Sequence, residues 1–232
     1  IDSTGVQLVD SQSIGEYYFS TTSFRNGVQG EMIFSEDGTR LVSVASGIID
    51  LFYFDRCTGE LFEGLSLFTG SYVEHRDYFY GCSFSPSGNR LYVSSIGNPF
   101  GNIAQFDLTS GNIPGSKVVL YNSNPLLLYI GQHQIAPDGK IYITCDYGGF
   151  PSTYDTVFNR NLCVINNPDS LGILCDLQMF SASFGSGILY LSLPNFPNYN
   201  LGAPQVICDS ANLIPFFTID DFPIISYPNP SN

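Results

Sequence analysis

Gly131-Gln132-His133-Gln134-Ile135-Ala136-Pro137-Asp138-Gly139-Lys140-Ile141-Tyr142-Ile143-Thr144-Cys145 is the stretch whose reading decides the fold. Ile135 ends one strand. Pro137 fixes φ at the corner of the turn, and Gly139 stands where φ can turn positive. Ile141 and Ile143 then alternate with polar neighbours, the period of a half-buried strand. The stretch therefore predicts a two-stranded hairpin.

The pattern occurs twice upstream, as Met32-Ile33-Phe34-Ser35-Glu36-Asp37-Gly38-Thr39-Arg40-Leu41-Val42-Ser43-Val44 and as Cys82-Ser83-Phe84-Ser85-Pro86-Ser87-Gly88-Asn89-Arg90-Leu91-Tyr92-Val93-Ser94. The turn glycines Gly38, Gly88 and Gly139 are 50 and then 51 residues apart. Strand-bearing units at this spacing predict an all-β fold, a β-propeller or the C-terminal part of a larger one, built of four-stranded antiparallel blades.

Aromatic residues make up 15% and hydrophobic residues 44% of the 232-residue chain, enough for a sizeable core in one domain. The formal net charge is −13 with only 12% charged residues. Such a surface repels phosphate backbones and anionic headgroups, so neither nucleic acid nor a membrane surface is an expected partner. The low charge with abundant Tyr, Asn, Ser and Thr suits a β-rich extracellular protein. No run of about 18 apolar residues occurs, and no membrane-inserted helix is expected. Ile1-Asp2-Ser3-Thr4 lacks a basic leader region, so any signal peptide is expected to be removed or to lie outside this chain.

Cys57, Cys82, Cys145, Cys163, Cys175 and Cys208 are even in number and contain no C-x-x-C pair. They read as disulfide candidates, with buried free thiols as the alternative. Cys163 and Cys175 flank the turn-rich Asn166-Asn167-Pro168-Asp169, which could bring them together; the other pairings stay open.

Along the chain, Val6-Gln7-Leu8-Val9 and Tyr17-Tyr18-Phe19 read as strands of a partial blade. Complete units are expected at about 30–79, 80–130 and 131–184, within a propeller region of residues 1–202. Third strands end in Phe54-Asp55, Phe106-Asp107 and Ile165-Asn166, where Asp or Asn is expected to cap the following turn. Ile188-Leu189-Tyr190-Leu191 reads as a further strand, and residues 203–226 as a linker. The connection between the second and third strands lengthens along the chain, and its longest copy covers 146–160. Its Tyr147, Phe150, Tyr154, Phe158, Asn159 and Arg160 are the candidate binding-loop residues, since long loops of a propeller gather on one face. The competing reading packs these aromatics down over the blade edge.

Phe54-Asp55-Arg56-Cys57-Thr58-Gly59, Phe84-Ser85-Pro86 with Leu91-Tyr92-Val93-Ser94-Ser95, Ala136-Pro137-Asp138-Gly139-Lys140-Ile141-Tyr142, Val164-Ile165-Asn166-Asn167-Pro168 and Leu193-Pro194-Asn195-Phe196-Pro197-Asn198-Tyr199 together resemble a family. It comprises secreted propeller-like (WD40/YVTN-like) surface proteins of the Bacteroidota, exported by the type IX secretion system. Tyr227-Pro228-Asn229-Pro230-Ser231-Asn232 is similar to the opening of the C-terminal sorting domain of such cargo. The resemblance implies an extracellular or cell-surface location, the secretion machinery as a partner during export, and a truncated or processed piece of a longer protein. It also implies O-glycosylation at Ser or Thr after Asp, with Ser3, Thr156, Ser170 and Ser210 as candidates.

Motifs for catalysis are sparse. There is no G-x-S-x-G, H-E-x-x-H, Walker loop or Rossmann glycine pattern, so no catalytic residue is assigned and no cofactor is expected. No D-x-[DN]-x-[DN]-G calcium loop occurs, and no metal site is assigned. His133 sits on a strand and His75 between Glu74 and Arg76; both read as structural. The function expected from the sequence is a non-enzymatic binding or structural module whose partner is a surface protein or glycan. The alternative is a propeller enzyme, lactonase-like or glycan-cleaving. That alternative requires titratable groups from different blades to meet within a few ångströms.

Overall fold

The computed structural model describes residues 11–16, 30–45, 47–69, 78–96, 101–124, 126, 128–147, 157–185, 187–194 and 201–202. The strands expected at 6–9 and 17–19, the linker and the sorting segment lie outside these.

Three antiparallel meanders of four strands each follow one another. The first comprises β1 (Met32–Phe34), β2 (Arg40–Ala45), β3 (Ile48–Phe54) and β4 (Leu61–Thr69). The second comprises β5 (Phe79–Phe84), β6 (Arg90–Ser95), β7 (Asn102–Asp107) and β8 (Val118–Asn122), and the third β9 (Leu128–Ile135), β10 (Ile141–Tyr147), β11 (Asn161–Ile165) and β12 (Leu177–Ser183). A single helical turn, α1 (Val157–Arg160), precedes β11. Among the described residues no helix is long and apolar enough to cross a membrane. The fold is all-β, made of propeller-type blades.

The hairpin turn recurs atom for atom. Gly38, Gly88 and Gly139 donate their N–H groups to the carbonyls of Ser35, Ser85 and Ala136 at 2.9, 2.8 and 2.9 Å. All three glycines have φ between 68° and 76°, where a Cβ is strained. The residue before each glycine closes the corner: Asp37 Oδ1, Ser87 Oγ and Asp138 Oδ1 accept the N–H of Thr39, Asn89 and Lys140. These three turns fix the register of β1–β2, β5–β6 and β9–β10.

The sheets pack face to face, so the middle one is buried on both sides. Alternation along β6 does this directly. Leu91 and Val93 join a core with Val42, Val44, Ile49, Leu51 and Phe79 of the neighbouring strands. Tyr92 points the other way, into a core with Ile130, Ile141, Ile143 and Ile165. Each fully buried aliphatic side chain of this size contributes about 2 kcal/mol relative to exposure. The first strands β1, β5 and β9 neighbour one another across these seams, β5 lying against both β1 and β9. They are the inner strands of blades set side by side.

Other segments cover the outer faces. Gln12 exchanges two hydrogen bonds with the backbone of Leu61, and Glu16 N–H donates to Asp50 Oδ2, placing 11–16 on the first sheet. On the third sheet, Leu189 N–H donates to the Asn159 carbonyl and Gln132 N–H to the Leu191 carbonyl. Isolated contacts of this kind make no ladder, and 188–191 is not a strand, contrary to expectation. The fourth strand of that sheet is instead Leu177–Ser183, which the sequence had not marked. Arg56 donates to the carbonyls of Asp37 and Gly202, holding 201–202 near the first hairpin turn.

Candidate functional site

The inner strands carry polar residues where a blade interior would be apolar, and the polar groups of three sheets meet there. Glu31, just before β1, receives the N–H of Cys82 on Oε2 at 2.9 Å and the Gln132 amide on Oε1 at 2.8 Å. Its carboxylate also takes the backbone N–H of His133. Burial raises its pKa above the ordinary carboxylate range, with those hydrogen bonds opposing. Gln132 Oε1 then accepts Leu193 N–H at 2.8 Å, extending the chain of contacts to the segment after the third sheet. One carboxylate thus ties β1, β5 and β9 together.

Ser83 and His133 form a second bridge, Oγ to Nδ1 at 3.1 Å, between β5 and β9. Both are 1% exposed. His133 Nε2 has no hydrogen-bond partner among the described residues. Burial pushes the imidazole pKa down to about 3, so it stays neutral at neutral pH and is a far weaker base than an ordinary histidine. A serine beside an imidazole is the chemistry of nucleophilic catalysis. Here the pair is sealed in, and Glu31 binds the backbone of His133 rather than its ring.

Close backbone approach completes the girdle. A Cβ on Gly81 would lie 2.1 Å from the Gly131 carbonyl, and one on Gly131 would lie 2.2 Å from the Leu191 carbonyl. Ser94 Oγ reaches across, accepting Gly81 N–H and donating to the Gly131 carbonyl at 2.7 Å. Thr144 Oγ1 repeats the move one blade on, to the Leu191 carbonyl at 2.9 Å. Glu31, Ser83, Ser94 and Gln132 were not singled out in the sequence. Their signal is polarity at positions on or beside the inner strands whose counterparts in the other copies differ, such as Glu31, Gly81 and Gln132.

The sequence-derived candidates fall elsewhere. Tyr147 closes β10 and meets Phe158 at 5.3 Å between ring centroids, and Phe158 meets Phe180 edge-on at 4.9 Å. Asn159 is fully buried and donates to Asp146 Oδ1 at 2.5 Å; Arg160, half-buried, ends α1. Phe150 and Tyr154 lie outside the described residues. So do the glycosylation candidates Ser3, Thr156 and Ser210, while Ser170 is half-buried and its carbonyl accepts the Gln105 amide at 2.8 Å. Asp55 and Asp107 accept the N–H groups of Cys57 and Thr109 and so cap their turns. Asn166 instead donates to Asp176, because its turn runs into the 3-10 turn Gly172–Cys175.

Cys57 is disulfide-bonded. Cys82, Cys145, Cys163 and Cys175 are buried free thiols, and Cys163 has Cys145, not Cys175, as its sulfur neighbour at 3.2 Å. Among the described residues no group of three or more His, Cys, Asp or Glu is placed to hold a metal ion.

No protein-family model matches the chain. No curated protein matches it. Solved structures similar to it include a candidate 6-phosphogluconolactonase from Bacteroides uniformis, 17% identical, covering 69% of this chain and 40% of that one with a TM-score of 0.41. A luciferin-regenerating enzyme is also 17% identical, over 67% of this chain and 47% of that one, at a TM-score of 0.39. The β-propeller domain of Cps50 (Swd1) from Myceliophteria thermophila is 13% identical, over 57% of this chain and 38% of that one, at 0.32. The chain spans less than half the length of each of these.

Proposed function

We propose that the chain is part of an extracellular β-propeller, a binding and structural module of a larger cell-surface protein exported by type IX secretion. Its partner is a protein or glycan engaged by the loop 146–160. The observation that carries this reading is the use made of the polar groups on and beside the inner strands. Glu31, Ser83, Gln132 and Ser94 each hold one blade to another, and the histidine among them is sealed and only weakly basic. A rigid frame of this kind presents loops with little ordering cost on binding.

The propeller-enzyme reading has one observation in its favour: polar groups from three sheets converge, the Glu31 carboxylate and the Ser83–His133 pair among them. One experiment separates the two. The full chain is screened on a glycan array and, in parallel, with lactone and ester substrates. The binding reading expects a bound glycan that is lost in Phe150→Ala/Tyr154→Ala with the melting temperature unchanged, and no turnover that Ser83→Ala abolishes. Turnover abolished by Ser83→Ala in a variant that still folds overturns it.

A further inference from the structure

We propose that Cys145 and Cys163 are a disulfide site, closing into a cross-strand bond within the third sheet when the folding chain meets a disulfide oxidant. Cys163 lies opposite Ile143 in the β10–β11 ladder, and Cys145 is the next residue along β10 on the same face. Their sulfurs are 3.2 Å apart inside the core shared with Ile143 and Ile165, both residues fully buried. A bond needs an approach to about 2.05 Å. Both strands have slack at this point: the β9–β10 register shifts between Ile143 and Cys145, and the β11–β12 register shifts between Leu162 and Val164. Among the described residues no other thiol competes as well. Cys82 belongs to the other core, and Cys175 sits beside the Tyr92 hydroxyl.

The exchange balances with a small disulfide as oxidant. One thiolate attacks it, releasing one reduced thiol and leaving a mixed disulfide. The second thiolate then attacks that, forming the Cys145–Cys163 bond and releasing the second thiol. Two protons leave the protein, two electrons pass to the oxidant, and reaction is by thiolate. In the finished sheet, before any disulfide forms, the hydrogen bond with the Cys163 sulfur, then burial, hold the Cys145 thiol protonated. Closure therefore belongs to strand assembly rather than to the mature fold. Once formed, the bond pins both ends of 146–160, the segment carrying the candidate binding loop.

The test is oxidative refolding of the full chain in oxidised and reduced glutathione, followed by alkylation without reduction. Cleavage after Lys140 and Arg160 and before Asp146, Asp169 and Asp176 isolates Cys145 in 141–145, Cys163 in 161–168 and Cys175 in 169–175. The expected product is 141–145 joined to 161–168, separated by dithiothreitol. Recovery of both peptides alkylated, or of 161–168 joined to 169–175, overturns the proposal. As a second readout, the drop in melting temperature on reduction is expected to be about 5–10 °C larger in the parent than in Cys163→Ala. An equal drop also overturns it.

Discussion

The two seams between blades solve the same packing problem with different chemistry. Between the first and second sheets the interior is mostly apolar, Val42, Ile49, Leu51, Leu67, Phe79, Phe84, Leu91 and Phe106 with the Cys82 thiol among them, and the Glu31 carboxylate bridges its inner edge to the Cys82 N–H. Between the second and third, three thiols and Tyr92 share the core with isoleucines, and specific polar bridges cross it. Ser83 meets His133, Ser94 meets the Gly131 carbonyl, Asp169 holds the Ser87 hydroxyl at 2.5 Å, and Gln105 accepts Gly172 N–H at 2.8 Å. A seam with few bridges tolerates sliding, whereas a many-bridged one fixes a single alignment. The second seam should therefore depend mainly on protonation and individual polar atoms, and the first, away from Glu31, mainly on volume.

The largest expected effect is acid loosening of the second seam. His133 has a folded pKa of about 3 against an ordinary 6.5. The unfolded chain thus binds the extra proton between those values, and stability falls as pH drops from 6.5 towards 3. The loss is on the order of 5 kcal/mol at its fullest. Glu31 works the other way: its raised pKa favours the protonated folded form, a contribution lost as pH rises through the folded value. Urea unfolding across pH 7 to 3 should fall steeply in the parent and much less in His133→Gln. Equal slopes in the two proteins would place the acid-sensitive group elsewhere.

In the first seam the counterpart is Leu91→Ala. Leu91 is fully buried against Val42 and Phe106, and its truncation should cost about 3 kcal/mol. Burial holds the Cys82 thiol of that cluster protonated throughout this range, so the loss should be the same at pH 7 and pH 5. A pH-dependent loss would erase the distinction between the seams.

Next comes Gly81→Ala, which drives a methyl into the Gly131 carbonyl. Backbone cannot swing aside as a side chain can, and about 2 kcal/mol should be lost. Gly111→Ala is the control, because an added Cβ there meets nothing within 4 Å. Guanidinium melts of the two variants should differ by nearly the whole amount; similar midpoints would mean the inner strands have room to part.

What the sequence revealed and what it hid divide along physical lines. The hairpin turns were legible because Pro, Asp and Gly act within four residues, and their repetition at 38, 88 and 139 gave the blade period. The outer strands were not. Leu177–Ser183 alternates weakly and owes its strand state to its ladder with β11. Ile188–Leu191 has the stronger apolar pattern, yet it serves to cover the third sheet. The girdle was hidden for a similar reason. Ser83 and His133 meet across 50 residues, and Glu31 and Gln132 across 101. Nothing local distinguishes these polar residues from solvent-facing ones.

The smallest expected effect is also the sharpest probe of the bridges. Tyr92 is fully buried, donating its hydroxyl to the Pro168 carbonyl and accepting the Gln105 amide, both at 2.7 Å. Tyr92→Phe keeps the ring and its packing but removes the oxygen. The Gln105 amide retains the Ser170 carbonyl as acceptor, so the Pro168 carbonyl bears the loss. One buried acceptor without its partner costs about 1 kcal/mol. The consequence should be local as well as global, because Pro168 belongs to the loop that carries Asp169 to Ser87. Amide exchange at Ser87, whose N–H donates to Asp169 Oδ1 at 3.0 Å, should accelerate in Tyr92→Phe, while exchange at Gly38, in the matching turn of the first sheet, should not. Equal acceleration at both turns would mean that the blades respond as one body, without separate seams.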